Sequence, residues 1–165
     1  MKVYRVERAK YLETTLSGIG ASLTRGYRWN SLHTQLVYPA ESRALATLEV
    51  SVHLDLSEDL PTDRCYVEIE IPADITILEV SLEDLPPGWD AKPPTLITQT
   101  IGDDFVLQKE AAVLKVPSSI VPQEFNYLIN PNHPEAKRIK VINISAMNFD
   151  PRFQVKTFFP LINAD

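Results

Sequence analysis

The stretch GYRWNSLHTQLVYPAESRALATLEVSVHLDL, residues 26–56, constrains this chain more than any other. It reads as a loop, a short strand over 35–38 and a helix from about 42 to about 56. At ~100° per residue, Leu45, Leu48, Val52 and Leu56 fall in one narrow stripe, and Glu49 falls inside it. An amphipathic helix normally keeps carboxylates on its other face, because burying an unpaired one is costly. Glu49 therefore needs a buried partner or an open cleft. A structural salt bridge is one reading and a functional site is the other. His53, four residues on, adds a structural Glu–His contact to the expectations for this helix.

The rest of the chain supplies short strands. Residues 2–7 form a plausible opening strand, with Arg5 set among apolar and aromatic neighbours and reading first as the surface residue of an edge strand. Residues 8–25 are irregular. Gly18-Ile19-Gly20 lacks a third glycine in register and a preceding strand, so it is no dinucleotide fingerprint. Residues 64–71 alternate, with Cys65, Val67, Ile69 and Ile71 on one face and Tyr66, Glu68 and Glu70 on the other, as in a half-solvated antiparallel strand. Further strands are expected near 75–80, 111–116, 127–129 and 138–144. A weaker helix over 95–100 is expected to break at Gly102 before a second turn near 103–109. Pro117-Ser118-Ser119-Ile120-Val121-Pro122 is a constrained loop at a strand end, where sites commonly sit. The pattern argues α+β, with mainly antiparallel sheets and flanking helices, in a single domain over 1–165.

Composition narrows the function classes. Twenty-two acidic against 16 basic residues give a formal charge of −6, which argues against a nucleic-acid surface. One cysteine excludes an internal disulfide. Cys65, on the apolar side of its strand, reads as an inert core residue. The N-terminus lacks the apolar run of a signal peptide and no stretch approaches a membrane span, so a cytoplasmic protein is expected. His33, His53 and His133 show no metal-ligand spacing, and no metal is expected. Phosphate-binding loops, HExxH and the nucleophile elbow are missing.

What remains is a set of polar residues in apolar or rigid settings: Arg28 beside Trp29, Tyr38 at a strand end, Glu49, Ser118, and Asn126 before a strand. An arginine fork suits a pyrophosphate, a tyrosine offers a stacking face, and a carboxylate can stabilise a developing positive charge. The residues point to an anionic ligand with an aromatic ring and leave the reaction open.

The same residues resemble a known family. Gly26-Tyr27-Arg28-Trp29-Asn30, Leu36-Val37-Tyr38 and ALATLEVSVHL at 44–54 look like the opening half of the RES-domain toxins. Pro87-Gly88-Trp89, VPSSIVP at 116–122, NYLINPNHP at 126–134 and Phe149-Asp150-Pro151-Arg152 follow in the same order. The arginine, glutamate and serine of the family name fall on Arg28, Glu49 and Ser118. The resemblance implies an ADP-ribosyltransferase-like fold and an NAD site without a Rossmann unit. It implies cleavage of the nicotinamide–ribose bond, by phosphorolysis or hydrolysis in some members and by transfer to a protein in others. It also implies an Xre-like helix-turn-helix antitoxin as partner. Arg5 and Tyr38 match positions of the family's ligand cleft, and Ser118 and Asn126 would help to fix the ligand. A non-catalytic nucleotide- or partner-binding member is the remaining alternative. The apolar tail over 158–162 suits a toxin–toxin contact, as in a homodimer, or a toxin–antitoxin contact. Where members show Gly-Gly-Arg-Trp and a further glycine, this chain has Tyr27 and Ser31-Leu32-His33-Thr34, a departure in the loop that carries Arg28.

Overall fold

The computed structural model describes residues 1–25, 27–54 and 60–153. In chain order the elements are β1 (Lys2–Arg8), α1 (Ile19–Ser22), α2 (Arg43–Ser51), β2 (Arg64–Glu70), β3 (Ile77–Glu79), α3 (Leu96–Gln108), β4 (Val113–Pro117), β5 (Phe125–Ile129) and β6 (Lys140–Met147), with short 3₁₀ turns between several of them. The architecture is α+β. One sheet is antiparallel in the order β1-β2-β6, and the other runs β3-β4-β5 with β3 parallel to β4 and β5 antiparallel.

The expected strand at 35–38 is a tie between the sheets. Val37 bridges Ile129, and Ala40 bridges both Tyr4 and Asn126. This short connector therefore joins β1 to β5 and carries Tyr38 between them. Pro39 lies within it and can donate no backbone hydrogen bond, which limits regular pairing there.

Sheet faces follow from strand alternation. Val3, Val67, Ile69 and Ile71 join Val113, Tyr127 and Ile129 in one core. The opposite face of β4 and β5 sends Leu114, Val116 and Leu128 into a second core with Trp29, Leu36, Trp89 and Phe105. β2 is buried as the middle strand, and the face expected to be half-solvated is covered at Glu68, which is only 7% exposed. On β6, a bulge opposite Glu68 and Ile69 shifts the register. Ile139 is buried as expected, while Ile144 is exposed.

Two helices depart from expectation. α3 is one continuous helix through Gly102, not two turns broken there. The glycine is needed for packing: a Cβ at residue 102 would lie 1.6 Å from the Trp29 carbonyl oxygen. α2 starts where expected, capped by the Ser42 hydroxyl accepting from the Leu45 N–H at 3.0 Å. It ends at Ser51, and Leu56 lies outside the described residues. Leu45 and Ala46 pack on Ala40, Tyr4 and Val6. Leu48 and Val52 are exposed, so the stripe faces the core only in its first turn. Among the described residues no helix is long and apolar enough to cross a membrane. The tail over 158–162 also lies outside them.

Candidate functional site

The site is assembled where α2 faces the end of β4. In the β4–β5 ladder Val116 pairs with Asn126. Residues 116 and 118 share a strand face, so Ser118 and Asn126 point the same way, toward α2. Both donate to one oxygen of Glu49: the Ser118 hydroxyl to Oε1 at 2.8 Å, the Asn126 amide to Oε1 at 2.7 Å. Among the described residues Oε2 carries no hydrogen bond, and Glu49 makes no ion pair. A buried cation is thus not what makes the carboxylate tolerable in the apolar stripe. Two neutral donors hold one of its oxygens, and the residue is partly exposed.

Ser118 is saturated. It is fully buried, and its Oγ accepts from the Ile120 and Val121 N–H groups at 3.0 and 3.2 Å while donating to Glu49. This serine turn at the strand end fixes the carboxylate's direction and leaves the hydroxyl no proton for another acceptor.

Arg28 occupies the other side. Its Nη1 donates to the Trp89 carbonyl at 2.5 Å and the Ala91 carbonyl at 3.2 Å, and Nη2 reaches Ala91 at 3.2 Å and Asp90 at 3.4 Å. The guanidinium thereby staples its own loop to the turn at 89–91. Burial pushes its pKa down, while the charges of Asp90, Glu49 and Tyr38 pull it back up. That coupling places Glu49 and Tyr38 within its field.

Tyr38 is half-buried, its hydroxyl donating to Asn30 Oδ1 at 2.5 Å and its ring centroid 5.2 Å from that of Tyr27. Burial raises its pKa well above the usual phenol value, with the Trp29 backbone amide and Arg5 pulling the other way. Arg5 lies on the Val3 face of β1, 22% exposed, and donates through Nε to Glu7 at 3.0 Å. It is thus an ion-paired residue near Tyr38, not a free surface arginine.

Glu49, Ser118 and Asn126 are joined by hydrogen bonds, and Ala40, which bridges both Tyr4 and Asn126, brings the chain neighbours Arg5 and Tyr38 close to them, while Arg28 is bonded to the turn at 89–91. His53 does not join them: it is exposed and makes no hydrogen bond to Glu49, because the carboxylate already points at β4 and β5. Asn30 and Tyr27 are the neighbours sequence reasoning passed over. The sequence carries no signal that Asn30 is buried; the structure shows it. Among the described residues no group of His, Cys, Asp or Glu gathers as a metal site.

Comparison with known proteins decides the family: the RES domain model matches residues 2–153. This chain belongs to the RES family. A RES relative, the "Prs ADP-ribosylating toxin" of Sphingobium sp. (strain YBL2), is 46% identical over 86% of this chain and 88% of its own length. "Toxin Res" of Pseudomonas putida (strain KT2440) is 42% identical over 76% and 84%. Among solved structures, the crystal structure of the M. tuberculosis MbcT–MbcA toxin–antitoxin complex aligns with a TM-score of 0.71. It covers 88% of this chain and 83% of its own at 14% identity, a likeness of fold.

Proposed function

We propose that this RES domain is a toxin that cleaves the nicotinamide–ribose bond of NAD, depleting the cell of it. The supporting observation is the Glu49 carboxylate, oriented by Ser118 and Asn126 through one oxygen, with the other carrying no hydrogen bond among the described residues. The glycosidic electron pair leaves on the pyridinium nitrogen, releasing neutral nicotinamide, and the ribose acquires oxocarbenium character. An anionic carboxylate fixed before the reaction stabilises that charge without reorganising. Ser118 and Asn126 hold Glu49 in that direction. Tyr38 and Tyr27 offer aromatic surface to the nicotinamide end.

Arg28 and Arg5 supply positive potential for the pyrophosphate. The Arg28 terminal nitrogens are engaged by neutral carbonyls, and a pyrophosphate adds an opposite charge and a bidentate fit that those carbonyls lack. Pyrophosphate can therefore displace the turn at 89–91. Phosphate or water then captures the ribose at C1′ and gives up a proton.

A second reading has its own support: the 46%-identical relative is named for ADP-ribosylating Prs. On that reading the donor chemistry is unchanged and a protein side chain captures the ribose. Incubation with NAD, with and without phosphate and a candidate acceptor protein, followed by nicotinamide release and mass of the acceptor, separates the outcomes. Failure to release nicotinamide under any of these conditions leaves a non-catalytic binding protein.

A cytoplasmic enzyme of this kind needs a partner that blocks its cleft. An antitoxin of Xre-like type is the proposed partner, and the solved structure of like fold is that of a toxin in complex with its antitoxin. Expression with and without the neighbouring gene product, with cellular NAD followed, tests it. Unchanged NAD and growth when the protein is expressed alone would remove the toxin reading.

A further inference from the structure

Asn30 is completely buried, although it follows the half-buried Arg28 by only two residues. Its Nδ2 faces three backbone carbonyls, Ala21 at 3.1 Å, Ser31 at 2.9 Å and Thr34 at 3.2 Å. Those acceptors settle which end of the amide is nitrogen. Oδ1 must then face Tyr38, and the phenol must donate to it, as it does at 2.5 Å. A phenol that gives its one proton to Asn30 has none left for a ligand, so Tyr38 serves through its ring.

We propose that Asn30 is the positioning residue of the site: it pins the Tyr38 hydroxyl in the core and thereby fixes the ring plane against Tyr27. Tyr27 is 36% exposed and Tyr38 lies beneath it, so the pair presents one aromatic surface whose angle is set from inside the fold. The same asparagine ties α1 to the loop over 31–34. Ring angle and loop position are therefore coupled, and an aromatic ligand end meets a preformed surface.

This role rests on the NAD reading above, and a double-mutant cycle tests it. Tyr38→Phe, Asn30→Ala and the double variant are compared with wild type for nicotinamide release, with KM and kcat resolved, for NAD affinity by calorimetry, and for melting temperature. Each single change is expected to lower kcat/KM on the order of 10-fold, mainly through KM. The double variant should be no worse than the worse single one, because both break the same hydrogen bond. Additive losses would show that Asn30 acts only on stability, and overturn the role. Should Asn30→Ala fail to fold, Tyr38→Phe removes the bond from the other side with Asn30 intact, and wild-type KM there overturns the role equally. A folded wild type that neither binds nor cleaves NAD overturns the NAD reading itself. Turnover with an additive cycle removes only the role of Asn30.

Discussion

Glu49 on α2 and Glu68 on β2 are two carboxylates placed in apolar surroundings, and the protein treats them in opposite ways. Glu68 is satisfied by charge. Its Oε1 meets Lys2 Nζ at 2.6 Å, its Oε2 meets Arg43 at 2.7 Å, and Arg43 in turn lies over the Tyr4 ring at 4.5 Å. Those cations, the hydrogen bond from Lys2 first, pull its pKa below the ordinary carboxylate range. Among the described residues Glu49 has only the neutral donors Ser118 and Asn126, both on one oxygen. Arg28 acts on it through space, with no ion pair between them. A carboxylate compensated by two adjacent cations offers a substrate little net field. One held by neutral donors is fixed in direction with no adjacent cation to compensate it. Glu68 is a structural ion pair and Glu49 is the carboxylate proposed as the reactive group, though the sequence pattern had placed Glu49 in the stripe and Glu68 on the solvent face.

The change expected to have the largest effect is Glu49→Gln. Glutamine keeps the shape and can still accept from Ser118 and Asn126, so the melting temperature should hold while nicotinamide release falls on the order of 10²-fold or more. A folded Glu49→Gln protein with wild-type turnover would erase the distinction between the two carboxylates.

Asn126→Ala removes one of the two donors and leaves Ser118 to orient the carboxylate alone. Turnover should fall on the order of 10-fold, with NAD affinity less affected, a split visible in kcat against KM.

Arg28→Lys sharpens the comparison from the cation side. Lysine cannot span the three carbonyls at 89–91 or present a fork to a pyrophosphate. Calorimetry should show NAD binding weakened by roughly 5-fold, about 1 kcal/mol, with the circular dichroism spectrum unchanged. Unaltered affinity would shift the phosphate role to Arg5.

The smallest effect belongs to Glu68→Gln, which should leave turnover alone and lower the melting temperature at neutral pH. The sign follows from the depressed pKa: the ionised form contributes above the ordinary carboxylate range, and that contribution is lost as pH falls through the folded-state value. The gap between the two melting curves should therefore close in acid. A gap that persists below the carboxylate range would mean that packing, not charge, holds Glu68.

Strand alternation at 64–71, the start of the helix near 42, the α+β class and the residue types of the polar set Arg28, Tyr38, Glu49 and Ser118 were all legible in the sequence. Each is a local property, written in side-chain period, capping chemistry or residue type. The fold decided what those groups do. Leu48 and Val52 share a stripe with Leu45 yet stay exposed, because only the first turn of α2 rests on β1. Gly102 reads as a helix break and is instead the point where α3 passes within contact of Trp29. Glu49 meets Ser118 and Asn126 across sequence separations of 69 and 77 residues. Asn30 looks like a loop residue until the carbonyls around it are known. The residue types present limited the possible chemistry. Which carboxylate met cations and which met neutral donors depended on long-range packing, because compensation requires a cation within a few ångströms and only the tertiary structure sets those distances.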